Sequence, residues 1–392
     1  MSEGALSGVR VVDLSRVLAG PLCTQILADQ GADVVKIEPP KGDETRSFGP
    51  PFMPSGDAAY FSALNRGKRS LSLDLSRAEG RAVVERLLDD ADVLVENFLP
   101  GTMVRWKLDY ATVGPRHHRL VYCSITGFGG DGPFGKLPGY DAVLQAVCGL
   151  MSVNGTVETG PTRLGVPVVD HLTGYVAAVA ILTALYARER TGAGQHIDTT
   201  LFDSAMSLLV PHAANFLYSA REPQLLGSAH PNIAPYDKFR ARDREIFLGV
   251  ANDGQFTRLC EQLGAEVIAT DSRFATNASR VEHREALRAA LEDVLVDHDA
   301  EALCTKLMAA GVPAGSVNPV STALSQPHAT HRELVVEQGD YRGLASPVRL
   351  SRAARVPVRQ PPRLSEHADQ ILYECGYGND EIARLRALRV IG

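Results

Sequence analysis

The strongest constraint on the fold is an alternation of short apolar strands and helices that continues to about residue 200. Residues 8–14 form a β-branched apolar run, Pro21 is placed to open a helix that reaches Gln30, and residues 32–37 form the next strand. Such a β-α-β unit is the building block of a parallel sheet. Further strands are predicted at residues 69–73, 92–95 and 120–125. The chain is therefore predicted to contain a large α/β domain of the Rossmann-like kind.

The pattern changes after residue 220, which predicts a second domain. Residues 236–250 alternate around Asp243 and Arg244 as a hairpin does, and helical patterns follow at residues 254–263, 280–295 and 300–310. We expect a large domain at residues 1–220 and a smaller α+β domain at residues 221–325. Residues 326–392 are too few for a core of their own, so this segment is expected to return to the large domain.

Composition and charge exclude several classes of protein. The formal charge of −6 argues against general nucleic-acid binding. The six cysteines show no C-x-x-C spacing, which favours reduced thiols in a cytoplasm over disulfides or a zinc site. Residues 1–8 are polar, so no signal peptide is expected, and the uncharged run at residues 175–187 is shorter than the roughly 20 residues of a membrane span. We predict a cytoplasmic protein without membrane attachment, and the histidine spacing supports no metal site.

Residues 164–174 contain the first candidate for chemistry. The branched apolar run before Asp170 predicts the end of a buried strand, and the uncharged run after it predicts a helix that ends at Gly192. Asp170 would then lie near the positive end of a helix, where a carboxylate stays ionised. Locally, the same pattern also fits a plain helix cap.

Residues 127–132 match G-x-G-x-x-G after a predicted strand, which on its own suggests a dinucleotide site. That fingerprint must also open a helix, and Pro133 and Pro138 prevent one here. We therefore reject NAD or FAD binding. Gly129 and Gly130 are expected to form a loop that backbone or ligand approaches closely.

Basic residues stand at the ends of the predicted strands or in the loops that follow. In parallel sheets, ligands bind outside the carboxyl ends of the strands, so these residues suggest a phosphate pocket. Each of them also fits a solvated surface charge. They are Lys36, Lys68, Arg69, Arg105 and Lys136.

Several segments taken together resemble one family, the family III CoA-transferases of the formyl-CoA and carnitine type. Each segment alone is weakly specific, but their joint order over residues 9–318 is highly specific. The matching segments are residues 17–25, 31–38, 65–74, 95–101, 139–141, 168–174, 191–195 and 311–315.

The resemblance implies covalent catalysis by Asp170, with Asp141 as an acidic neighbour. The nucleophile would form an aspartyl-acyl anhydride and then an aspartyl-CoA thioester, before CoA passes to an acceptor acid. Coenzyme A and acyl-CoA are then substrates, and no cofactor is held permanently. The implied CoA-binding residues are Leu18, Lys68, Arg69, Asn97, Arg105 and Lys136.

The resemblance also implies an architecture and a substrate class. It implies a large domain built from both chain ends and a homodimer of interlocked rings. Departures from the formyl-CoA type at Leu18 and at residues 227–235 point to the branch that uses succinyl-CoA and small dicarboxylic acids. In that branch, Arg163 or His230 would pair with a second carboxylate.

Two other functions stay open from the sequence. A 2-methylacyl-CoA racemase or epimerase would share the fold but would need an acid–base pair flanking the α-carbon. A CoA-binding protein without turnover would also keep the fold, since a fold alone does not determine function.

Overall fold

A computed structural model describes residues 4–392. Residues 1–3, part of the polar stretch from which we expect no signal peptide, lie outside the described residues. The strands are β1 Arg10–Asp13, β2 Asp33–Glu38, β3 Arg69–Ser72, β4 Val93–Glu96, β5 Val121–Thr126, β6 Gly155–Thr156, β7 Gly160–Pro161, β8 His196–Thr200, β9 Tyr236–Arg240, β10 Glu245–Gly249, β11 Ala314–Ser316, β12 Val335–Gln338 and β13 Tyr341–Leu344.

Helices separate most of these strands. They are α1 Ala19–Asp29, α2 Ala59–Asn65, α3 Ala78–Leu88, α4 Thr102–Trp106, α5 Tyr110–Val113, α6 Asp141–Val147, α7 Val168–Thr191, α8 Leu201–Ser207, α9 His212–Ser219, α10 Asp253–Leu263, α11 Glu266–Thr270, α12 Asn277–Glu282, α13 Arg284–Leu295, α14 Ala300–Ala309, α15 Val320–Ser325, α16 Pro327–His331, α17 Ala368–Glu374 and α18 Asn379–Ala387.

The chain divides into two compact units. Unit 1 comprises the residues up to Cys148, Gly165–Leu208 and Pro327–Gly392. Unit 2 comprises Gly149–Leu164 and Leu209–Gln326. The division into domains at residues 1–220, 221–325 and 326–392 stays a prediction.

Unit 1 is built on a six-stranded parallel sheet, which confirms the predicted α/β class. The strand order is β3-β2-β1-β4-β5-β8, and every neighbouring pair is parallel. The order reverses between β1 and β4. Their connections leave in opposite directions there, so a crevice opens beyond the carboxyl ends of these two strands. Ligands are expected at this crevice.

Both ends of the described chain contribute to the core of unit 1. Leu71 and Leu94 from the sheet belong to the same buried cluster as Ile371 and Leu385 of the C-terminal helices. Ile391 makes an antiparallel bridge to Leu73, directly after β3. The stretch from Ala368 to Ile391 thus contributes to this core.

The predicted strand before Asp170 is wrong, because Asp170 lies within the first turn of the long helix α7. Valine-rich runs suit strands, yet Leu164 and Val166 are exposed and belong to none of the strands of residues 4–392. Helix α7 buries residues at helical spacing, including Val169, Thr173 and Ala177. Its predicted stop at Gly192 is confirmed, with φ +75°.

Helices α1 and α7 pack closely, and a glycine allows this. A Cβ added to Gly174 would lie 2.8 Å from the carbonyl oxygen of Ala19, closer than packed atoms approach. Among residues 4–392, α7 is the one helix long and apolar enough to cross a membrane. Core helices pass the same test, so its composition is weak evidence for a membrane span.

Unit 2 contains a three-stranded antiparallel sheet of order β11-β10-β9. The hairpin predicted around Asp243 and Arg244 is confirmed by the pairing of β9 with β10. Leu259, Leu291 and Leu307 from the helices belong to the same buried cluster as the sheet residues.

Candidate active site

Two clefts open at the carboxyl ends of the strands of unit 1. The first, which we call the Asp170 cleft, has a volume of about 190 Å³ and is lined by Asp170, residues 16–19 after β1, residues 97–100 after β4 and residues 137–140. The second, which we call the apolar cleft, has a volume of about 370 Å³. A larger cavity of about 490 Å³ lies at the amino ends of β1 to β3 and contains none of the candidate site residues.

Asp170 and Asp141 lie beside each other at the start of α7. One oxygen of Asp141, Oδ1, accepts hydrogen bonds from the backbone N–H of Val169 at 2.8 Å and of Asp170 at 3.3 Å. Its other oxygen accepts a bond from Gln145 Nε2 at 2.7 Å. Asp141, from helix α6, therefore caps α7, since it satisfies N–H groups that have no partner within the helix. No feature of the sequence alone had indicated Gln145.

The charge state expected for Asp170 needs a correction. Burial of the carboxyl, and then the negative charge of Asp141, raise the pKa of Asp170 to about 7. The sequence predicted an ionised residue because of the positive helix end. That effect is outweighed by the lost hydration of a half-buried carboxylate and by its like-charged neighbour. Protonated and ionised Asp170 are therefore both populated near neutral pH.

Tyr60, which the sequence gave no reason to select, feels the charges of both carboxyl groups. Burial, followed by the negative charges of Asp170 and Asp141, raises the pKa of Tyr60 to about 12. Its ring meets Phe48 edge to face, with 5.8 Å between ring centroids. Tyr60 thus supplies a neutral hydroxyl, able to donate a hydrogen bond, in the vicinity of both carboxyl groups.

The turn after β1 is fastened to the segment after β4 by Asn97. The Asn97 side chain accepts from Arg16 N at 2.8 Å and donates to Arg16 O at 2.7 Å. Asn97 and the buried Leu18 both line the Asp170 cleft. The structure therefore brings these two predicted residues to the cleft that contains Asp170.

The glycine loop after β5 approaches the cleft through residues other than those predicted. Gly127 and Gly139 line the cleft, and a Cβ on Gly127 would lie 2.9 Å from the Cα of Gly139. Gly129 has φ +92° and donates its N–H to Thr126 Oγ1, but neither it nor Gly130 lines the cleft.

The predicted phosphate-binding residues divide into a paired group and an exposed group. In the paired group, the buried ammonium of Lys36 donates to Asp43 at 3.0 Å. Lys68 is buried, and its ammonium donates to Asp13, Asn65 and the Pro21 carbonyl. The guanidinium of Arg69 pairs with Asp33 and Glu374. These cations are therefore already paired within the chain, and their contact with a phosphate stays a prediction.

Arg105 and Lys136 are exposed and form no salt bridge with any residue between 4 and 392. The Arg105 guanidinium donates to Thr102 Oγ1 at 3.1 Å. Lys136 is adjacent to Leu137, which lines the Asp170 cleft. Both cations can therefore meet an anion.

Arg163 and His230 belong to unit 2. Arg163 is exposed and donates to the carbonyl of Leu164 at 3.2 Å. The ring of His230 packs edge to face on Tyr236, and its Nδ1 accepts the N–H of Asn232 at 3.1 Å. A neutral His230 therefore carries its proton on Nε2, and burial followed by the charge of Arg284 lowers its pKa.

Comparisons with known proteins agree with this fold and identify a family. The model of the family described as CoA-transferase family III matches residues 6–368. A succinate–glutarate CoA-transferase of Agrobacterium fabrum is 42% identical over 94% of this chain and 95% of its own. A succinyl-CoA:mesaconate CoA-transferase of Haloarcula hispanica is 38% identical over 96% of this chain and 97% of its own.

A solved structure extends the agreement to three dimensions. A CAIB/BAIF family protein from Brucella suis is 42% identical and superposes with a TM-score of 0.87, covering 96% of this chain and all of the other. The match spans nearly the whole of both chains, and the sequence resemblance is thereby confirmed. The chain belongs to family III of the CoA-transferases.

Proposed function

We propose that this CoA-transferase moves CoA from succinyl-CoA to a small dicarboxylic acid, with Asp170 as the nucleophile. The observation that carries the proposal is a half-buried carboxyl beside a second acid, in a cleft at the switch point of a parallel sheet. The names of the relatives support succinyl-CoA and dicarboxylates as the substrate class.

The proposed reaction has four displacements. Ionised Asp170 attacks the thioester carbonyl of the donor, so that a C–O bond forms, the C–S bond breaks and CoA leaves as a thiolate. The thiolate attacks the aspartyl carbonyl of this anhydride, which gives an aspartyl-CoA thioester and releases the donor acid. The acceptor carboxylate repeats the first step on this thioester, and the returning thiolate takes the acceptor acyl group. Asp170 is regenerated, so no oxidant or cofactor is consumed.

The neighbouring residues have distinct proposed tasks. The N–H groups of Val169 and Asp170 already donate to Asp141, which leaves them unavailable to a developing oxyanion. Tyr60 is the better donor, since its phenol stays neutral at working pH. Asp141 holds the start of α7 in place and keeps Asp170 basic, and a basic carboxylate is the stronger nucleophile.

CoA would lie across both clefts. The apolar cleft includes Leu73, Leu75, Phe98 and Trp106, a lining that suits the flat adenine ring. Arg105 and Lys136 are placed to meet phosphate groups at the surface. We keep Arg163 or His230 as the residue that pairs with the distal carboxylate of the acceptor, because a guanidinium and the Nε2–H of a neutral histidine can each donate to a carboxylate.

We also propose a homodimer of interlocked rings in the cytoplasm. One face of α7 exposes a row of apolar side chains, namely Tyr175, Val179, Leu182 and Tyr186, and such rows mark interaction surfaces. Light scattering should give twice the chain mass of 42.1 kDa, and a monomer would refute the dimer.

The proposed location is the cytoplasm. The six cysteines are free thiols, as expected in a reducing compartment, and cell fractionation tests this location.

The chemistry is tested by intact mass after the protein is mixed with succinyl-CoA and no acceptor. We expect an adduct of CoA on the enzyme that hydroxylamine removes. Dicarboxylic acids added to the isolated adduct should then release it as their CoA thioesters, and Arg163→Ala or His230→Ala should raise the KM of the acceptor. If no adduct forms with succinyl-CoA or with other acyl-CoA donors, the proposal fails.

A further inference from the structure

Arg16 is the one basic residue that lines either cleft among the described residues, and it lines both. The charged residues that share these linings are acids: Glu44 and Asp170 in the Asp170 cleft, Glu38 and Asp74 in the apolar cleft. A polyanionic substrate that occupies both clefts would therefore meet this guanidinium at the wall that the clefts share.

The guanidinium of Arg16 has no anionic partner within residues 4–392. Its Nε is buried and makes no hydrogen bond, and its charged end lies 5.4 Å from the centroid of the Phe98 ring. Two buried arginines of unit 1, Arg46 and Arg66, pair with carboxylates. A buried donor without a partner costs free energy, which a bound anion would recover.

The backbone around Arg16 is held by hydrogen bonds and includes a strained residue. Asn97 bonds both the N–H and the C=O of Arg16, as described above. The next residue, Val17, has φ +66°, a left-handed conformation that is unfavourable for a β-branched side chain. Strained residues of this kind are found where a ligand site requires one specific geometry.

We infer that Arg16 binds the diphosphate of the acyl-CoA. In the proposed function, on which this inference rests, adenine occupies the apolar cleft and the thioester reaches Asp170. The diphosphate connects these two parts of the molecule, so it passes the wall where Arg16 lies. Arginine suits this position because its planar fork of N–H donors matches phosphate oxygens.

The test is a comparison of dissociation constants by calorimetry for CoA, 3′-dephospho-CoA and pantetheine. Arg16→Met should bind CoA and 3′-dephospho-CoA about 10- to 100-fold more weakly than wild type, because both ligands carry the diphosphate. Its affinity for pantetheine should be unchanged, and Arg16→Lys should be intermediate. Arg116→Met serves as the matched control, since Arg116 pairs with Glu85 on the surface away from both clefts.

Each other outcome has a defined meaning. Unchanged CoA affinity in an Arg16→Met protein of normal melting temperature would overturn the inference. A loss of affinity for CoA but not for 3′-dephospho-CoA would also overturn it, because it would assign Arg16 to the 3′-phosphate. A change confined to the KM of the acceptor would overturn it as well. Wild-type protein that binds no CoA and forms no adduct would instead refute the proposed function.

Discussion

Asp170→Asn is expected to lower kcat/KM for CoA transfer by about four orders of magnitude or more, the scale seen when a nucleophile is removed. The amide has nearly the size of the carboxyl, but it does not attack a thioester to form an anhydride. The covalent CoA adduct should disappear together with turnover. Initial rates with succinyl-CoA and a dicarboxylic acceptor measure the first effect, and intact mass measures the second.

Asp203→Asn is the matched control, because Asp203 also lies in the first turn of a helix, α8, but is exposed. It should leave the rate within about twofold of wild type, as surface substitutions usually do.

Asp170→Asn should also be more stable than wild type at pH 8. Folding raises the pKa of Asp170, so the ionised form opposes folding increasingly from about pH 4 to pH 7. Residual transfer above a tenth of the wild-type rate would exclude Asp170 as the nucleophile.

The donor half-reaction is expected to lose rate on the acid side of pH 7. Only ionised Asp170 attacks, and its pKa is raised to about 7, so the reactive fraction falls about tenfold for each pH unit below that value. Between pH 8 and pH 5, kcat/KM for succinyl-CoA should therefore fall about a hundredfold. The pH dependence of kcat/KM, measured at low concentrations of the donor, gives the pKa of Asp170 in the free enzyme.

Asp141→Asn should move this acid limb to lower pH. The substitution removes the negative charge that raises the pKa of Asp170, while the amide oxygen can still accept from Val169 N–H. The limb should stay above the ordinary range of an aspartate, since burial is the larger cause of the shift. A limb that stays near pH 7 in Asp141→Asn would show that Asp141 acts through packing alone.

The arrangement of unit 1 was largely predictable from local sequence. The β-α-β pattern from β1 to β5 follows from apolar runs, Pro21 and glycine stops, all of which act within a few residues. The prediction of a strand before Asp170 was wrong because a short valine-rich run occurs in helices as well as in strands. The start of α7 is instead satisfied by Asp141, which belongs to another helix. Such a cap is a tertiary interaction that no local pattern contains.

The site was predictable mainly where the family resemblance supplied it, although the local pattern had already made Asp170 a candidate. Asp170, Asp141 and Asn97 were selected through matching segments, and the structure brings them to one cleft or its edge. Lys68 was selected by its place at a strand end, but its side chain turns inward to Asp13, distant in sequence. The raised pKa of Asp170 depends on burial, which is a property of the folded chain.

The composition of unit 1 from separated stretches has a consequence for biosynthesis. All residues of unit 2 leave the ribosome before Pro327–Gly392, which complete the core beneath the parallel sheet. The smaller unit can therefore fold while the sheet of unit 1 still lacks α17 and α18. During this interval, apolar residues such as Leu71 and Leu94 lack part of their cover, and exposed strands of this kind aggregate. Translation speed through the final stretch and chaperones that shield nascent chains are thus expected to govern the yield of active enzyme.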